Sequence, residues 1–204
     1  MNTTQDMILI GLTGQSGAGK STVAEMLREH GMTFINCDEV AYKVSTIPEF
    51  LAEVAELFPT CVENGALKRR DLAAIVFNNS ALLGKYNSLI FPYITAEIFK
   101  EIRRLKSAGE RLIILDAPTL FESDIHLLCD CIISVIAPFE LKVKRILERD
   151  GIPVDLVTSR INAQHGEDFF TTRSDNIINN DGDLNALNTR VAALIREIRE
   201  RFDV

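Results

Sequence analysis

Nine consecutive residues carry the first recognisable chemistry of the chain: Gly14, Gln15, Ser16, Gly17, Ala18, Gly19, Lys20, Ser21 and Thr22. Glycine reaches backbone torsions closed to other residues, so the N–H groups of such a run can turn inward around an anion. The spacing is G-x-x-x-x-G-K-S, with an apolar run before it and a helical pattern after it, the context a phosphate-binding loop requires. A helix opening near Lys20 adds its positive end. Lys20 can reach the β and γ phosphates of a nucleoside triphosphate, and the Ser21 hydroxyl can ligate Mg²⁺. A flexible Gly/Ser turn is the competing reading; the complete eight-residue pattern in its proper context favours nucleotide binding.

Two carboxylates follow at strand ends, where ligands gather in open parallel sheets. Asp38, in Asn36-Cys37-Asp38, can orient an acceptor hydroxyl and take its proton during phosphoryl transfer. It serves equally as a cap for the helix EVAYKV that follows. Asp116, in LIILDAP, can hold Mg²⁺ through water, or be a turn residue ahead of Pro118. The loop alone does not name a reaction, because GTPases, ATPases and small-molecule kinases share it. A guanine-specific loop reads N/T-K-x-D, and none of the eight lysines follows Asn or Thr. That sets a GTPase aside, and the length favours a small kinase.

These residues need a sheet to hold them. MILIGL (7–12) is a continuous apolar run, as in a strand buried on both faces. MTFIN (32–36), RLIIL (111–115), CIISVI (131–136) and NIIN (176–179) read as four more strands. Helical stripes lie between them, including PEFLAEVAELF (48–58), RRDLAAIVF and a long pattern from about Ser80 to Ala108 with a break near Pro92. Pro138 opens a helix that stops at Gly151, and Asp183 caps the last one. Strands separated by helices imply parallel pairing through right-handed crossovers. The class is α/β, a five-stranded parallel sheet flanked by helices.

The chain has 204 residues, 47% hydrophobic and 25% charged, with a net charge of −7. No apolar run approaches the roughly 20 residues that span a bilayer, and no secretory leader pattern opens the chain. An acidic balance argues against a nucleic-acid surface, which needs a basic face. Cys129 and Cys131 lie one residue apart, so strand alternation puts both on one face toward the core. With Cys37 and Cys61 they read as buried thiols, which suits a reducing cytoplasm.

The ordered motifs resemble those of the dephospho-CoA kinases. The likeness takes in GLTG…GKSTVA (11–24), NCD (36–38), ALKRRDLAAIVF (66–77), DAPTLFES (116–123), VKRILERD (143–150), RINAQ (160–164) and SDNIINNDG (174–182). The resemblance implies a P-loop kinase fold in one domain. Its core would be about 1–41, 106–138 and 176–204, with a helical acceptor-binding insertion (about 42–105) and a helical lid (about 139–175). It implies transfer of the ATP γ-phosphate to the ribose 3′-hydroxyl of dephospho-CoA, with Mg²⁺, by a monomer or small homo-oligomer. Position by position, Asp38 matches the family's catalytic base and Arg145 its phosphate-binding arginine at the lid. Arg69 and Arg70 match a basic pair beside the acceptor, and Asn180, in Asn180-Asp181-Gly182, falls near the adenine.

Several positions depart from the family pattern. The loop reads GQSGAGKS where the family commonly has GGIGSGKS. Asn36 replaces the first acid of D-x-D, Tyr42 an arginine, Phe91 the histidine of His-Pro, and Phe170 a lysine of the lid. Each departure beyond the loop lies on the acceptor or lid side. Another small P-loop kinase, of nucleotide or shikimate type, and a catalytically weak nucleotide-binding relative are therefore the alternatives. Shikimate kinases expect a Gly-Gly-Gly run, and no two glycines are adjacent here.

Overall fold

The computed structural model describes residues 7–204. The chain opens with β1 (Ile8–Gly14), α1 (Lys20–Glu29) and β2 (Thr33–Asn36). Next come α2 (Cys37–Val44), α3 (Pro48–Leu57), the short strands β3 (Val62–Glu63) and β4 (Ala66–Leu67), α4 (Arg69–Val76) and α5 (Ser80–Ser107). The remainder is β5 (Leu112–Asp116), β6 (Cys131–Ile136), α6 (Phe139–Asp150), α7 (Val154–Asn162), α8 (Glu167–Thr171), β7 (Asn176–Asn179) and α9 (Leu184–Phe202). The sheet order is β2-β5-β1-β6-β7, with β1 in the centre. Ile10 lies opposite Ile114 on one side and Cys131 on the other, in parallel register. This is the five-stranded α/β sheet expected from the apolar runs.

Two compact units divide the described chain: the residues up to Phe34 together with Gly109–Val204, and Ile35–Ala108. In the first, β1 is almost wholly enclosed, as a strand covered on both faces must be. Ile10, Leu12, Ile133 and Val135 pack with Val23 and Leu27 of α1 and with Val191, Ile195 and Ile198 of α9. Helices α6 and α7 carry a small core of their own, Ile146 with Val157 and Ile161. Asp183 caps α9 by accepting the Ala186 N–H at 2.8 Å, and Gly151 ends α6, both as expected.

In the second unit, α5 packs against α2, α3 and α4. Phe50 meets Tyr93 and Tyr86 edge-on, at 5.4 and 6.5 Å between centroids. The break foreseen at Pro92 is absent: α5 runs continuously from Ser80 to Ser107 with Pro92 inside it. Proline removes one ladder hydrogen bond. A stripe of buried Ile90, Ile94, Ile98 and Ile102 outweighs that local loss. The β3–β4 hairpin is an element not foreseen, and its signal is the pair Asn64-Gly65, both at positive φ. A second correction concerns Cys129. It precedes β6 rather than lying on it, and its sulfur packs against Gly11 of β1, whereas Cys131 joins the core on the Ile10 face, so the two do not share one face.

Candidate functional site

The phosphate loop is built in the first unit between β1 and α1. Gly19 sits at the start of α1 with φ 96°, and a Cβ there would stand 2.1 Å from the Asn180 amide nitrogen. Gly17 has φ 78°, and its Cβ would meet the Lys142 carbonyl of α6 at 2.8 Å. Both positions need glycine for torsion and for space. Lys20 and Asp116 form an ion pair inside the site, and Arg28 reaches the other Asp116 oxygen at 4.0 Å. Sequence placed Lys20 on phosphate and Asp116 near Mg²⁺; here each is held by the other.

Arg145 and Asn180 close on the same loop. One Arg145 nitrogen donates to the carbonyls of Gly17 and Ala18 at 3.4 and 3.3 Å. Another donates to the Asn180 carbonyl and side-chain oxygen at 3.1 and 3.2 Å. The Asn180 amide donates to the Ala18 carbonyl at 2.8 Å. A trans peptide points its N–H opposite its C=O, so holding the Ala18 carbonyl turns the Gly19 N–H the other way. Arg145 and Asn180 thus set the direction of the nest.

Two loop residues are engaged from 139–175. The Ser16 N–H donates to Gln164 Oε1 at 2.9 Å, and the Gln15 amide donates to the His165 carbonyl at 2.8 Å. Lys142 donates to Gln15 Oε1 at 2.6 Å. Gln15 is therefore a brace for the loop by its side chain. Phe170, where the family has a lysine, is buried against Phe121 and Phe169 at centroid distances of 6.1 and 5.4 Å. Ser21 and Thr22 lie in the first turn of α1.

The second unit carries its own cleft, a cavity of about 240 Å³. Asp38 and Tyr42 line it from α2 and Ser45 from the cap that follows, Arg69 and Leu72 from α4, and Tyr86 and Ile90 from α5. Asn36 is the N-cap of α2: its side-chain oxygen accepts the N–H groups of Asp38 and Glu39 at 2.9 and 3.2 Å. The capping reading of Asp38 is thereby corrected, since Asn36 caps and leaves the Asp38 carboxylate exposed in the cleft. The Arg69 guanidinium lies 4.0 Å over the Tyr42 ring and donates to the Tyr42 carbonyl and to Ser45 Oγ. Burial pushes the Tyr86 phenol above its usual range, and nearby Arg69 opposes the shift. Arg70, the neighbouring helical position, is exposed and does not line the cleft.

Sequence reasoning thus brought Asp38 and Arg69 to one cleft and Lys20, Asp116, Arg145 and Asn180 to one loop. It passed over Tyr42 and Ser45 as cleft residues and Lys142, Gln164 and His165 as loop partners. Spacing offered one signal: Asp38, Tyr42 and Ser45 stand at i, i+4 and i+7, one face of a helix.

A glycine loop running from a central parallel strand into a helix, with a lysine and a carboxylate beside it, defines a P-loop nucleotide-binding fold. Solved structures agree on that fold. Shikimate kinase from Acinetobacter baumannii superposes with a TM-score of 0.52 at 15% identity, covering 97% of this chain and 96% of that one. A Thermus thermophilus protein superposes at 0.81 with 32% identity over 94% of this chain and 98% of that one. The dephospho-CoA kinase from Campylobacter jejuni does so at 0.70 with 25% identity, over 94% and 97%. The dephospho-CoA kinase family model matches residues 8–186. The dephospho-CoA kinase of Deinococcus radiodurans is 35% identical over 93% of this chain and 91% of its own length. That of Bacillus licheniformis is 35% identical over 87% and 90%. The chain belongs to the dephospho-CoA kinase family.

Proposed function

We propose that this chain transfers the γ-phosphate of ATP to the ribose 3′-hydroxyl of dephospho-CoA, giving coenzyme A and ADP, the last step of coenzyme A synthesis. The observation that carries the reading is a complete phosphate loop, paired Lys20 and Asp116 included, in a chain matching that family over 8–186. The hydroxyl oxygen attacks the γ-phosphorus as the bond to the bridging oxygen breaks, and Asp38 accepts the hydroxyl proton. Lys20 and the loop N–H groups bind the β and γ phosphates, and Arg145 adds positive charge beside the transferring group. Arg69, stacked on Tyr42 and tied to Ser45, supplies the cation of the acceptor cleft.

The residues present fit Mg²⁺. The Ser21 hydroxyl and the Asp116 carboxylate are hard oxygen donors. Among the described residues no group of three or more acidic, His or Cys side chains forms a metal cage. A Mg²⁺ ion takes few protein ligands and completes its shell with phosphate and water, so two donors suffice. When bound it neutralises phosphate charge. No helix of the described residues is long and apolar enough to cross a membrane. The four cysteines, none of them in a disulfide among the described residues, suit the reducing cytoplasm, where we place the protein.

Phosphorylation of dephospho-CoA by ATP with Mg²⁺, followed by coupled ADP release, tests the reading. Turnover is expected with wild type and is abolished by chelation. Asp38→Asn is expected to lower kcat by roughly 10²–10⁴. Wild type without turnover, or an unchanged kcat in the variant, overturns it.

A further inference from the structure

Lys142 is the one lysine of the buried polar set, 5% exposed, and nothing in the phosphoryl-transfer chemistry above uses it. Its ammonium donates at 2.6 Å to the side-chain oxygen of Gln15, which is itself 5% exposed. An ammonium only donates, so it fixes the Gln15 carboxamide with oxygen toward Lys142 and nitrogen away. That nitrogen donates to the His165 carbonyl at 2.8 Å. One residue along on each side, Gln164 Oε1 accepts the Ser16 N–H at 2.9 Å. The backbone of Lys142 lies against Gly17, so α6 supports the loop from beneath.

A buried ammonium is unfavourable unless something offsets it. Among the described residues Glu167 acts on it only through space, without a hydrogen bond, and burial pushes its pKa below the usual lysine range. The neutral Gln15 carboxamide is its hydrogen-bonded partner. Gln15 stands where the dephospho-CoA kinases commonly have glycine, which has no side chain for Lys142 to grip.

We propose that Lys142 is a positioning residue of the nucleotide site, acting through the Gln15 carboxamide to hold the Gln15–Ser16 turn of the phosphate loop against the Gln164–His165 turn. The proposal rests on the reading that the loop holds ATP phosphates, and not on the identity of the acceptor.

The test measures ADP affinity by calorimetry with Mg²⁺, together with kcat and both KM values. It uses wild type, Lys142→Met, Gln15→Ala and the double variant. Methionine keeps the length and apolar bulk of the lysine stem without its donor. Each single variant is expected to weaken ADP binding about tenfold, the size of one charge-assisted hydrogen bond lost. The KM for ATP rises while the KM for dephospho-CoA holds. The double variant is no weaker than the worse single one, because both break the same chain of contacts. Wild-type ADP affinity in Lys142→Met makes the lysine a core filler and overturns the proposal. So does full multiplication of the two effects, which assigns them separate contacts. If Lys142→Met does not fold, Gln15→Ala with unchanged ADP affinity decides against it. Wild type that binds ADP but leaves dephospho-CoA unmodified overturns the reaction proposed above while leaving this pairing intact.

Discussion

Asp38 and Arg69 owe their availability to neighbours with different tasks. Asn36 takes the capping role, so the Asp38 carboxylate stays exposed. Tyr42, 60% exposed, offers its ring to Arg69 where a second arginine would repel it. Tyr42→Ala is therefore expected to raise the KM for dephospho-CoA several-fold with the KM for ATP unchanged. Tyr42→Phe, which keeps the ring and the backbone carbonyl, should stay near wild type; steady-state kinetics on both substrates checks this. Gly19→Ala places a methyl group 2.1 Å from the Asn180 amide at φ 96°. It is expected to abolish ADP binding by calorimetry while leaving far-ultraviolet circular dichroism close to wild type.

At the scale of elements, α2 is short and opens on Asn36, which satisfies two of its first N–H groups. Asn36→Ala should cost about 1 kcal/mol of stability by denaturant titration. It should also lower kcat more than it raises either KM, because the turn carrying Asp38 loosens. The strands were legible in sequence because those buried on both faces are uninterrupted apolar runs, as β1 and β6 show. The phosphate loop was legible because its spacing is dictated by phosphate geometry. What escaped was set by packing between distant segments. Pro92 reads as a breaker until the isoleucine stripe of α5 is buried. Gln15 reads as a loop residue facing phosphate until Lys142, 127 residues on, turns its side chain aside. Tyr42 reads as a lost cation until Arg69 is seen against its ring.

Across the whole molecule, the half-buried Cys129 and the buried Cys131 contribute to the alkaline limb of stability. Burial holds Cys129 up to about 12 and Cys131 up to about 11, with neighbouring acids adding to both shifts. A folded-state pKa above the unfolded value, about 9, means the unfolded chain sheds those protons first. Their contribution is complete below pH 9 and is lost as pH rises through 11 to 12. The melting temperature should fall less steeply over that range in a Cys129→Ala/Cys131→Ala variant than in wild type. At pH 8 iodoacetamide should label both thiols in denaturant and neither in the folded protein. The sheet order has a further consequence for how the chain is made. β1, which leads into the phosphate loop, pairs only with β5 and β6, so Ile8 waits for Leu112 and Ile10 for Cys131. At a synthesis rate of about 5–20 residues per second, this apolar strand spends seconds on the ribosome without a partner. The glycine loop is thus encoded early, yet a nascent chain cannot assemble the nucleotide site until the sixth strand, and Arg145 and Asn180 beyond it, have emerged.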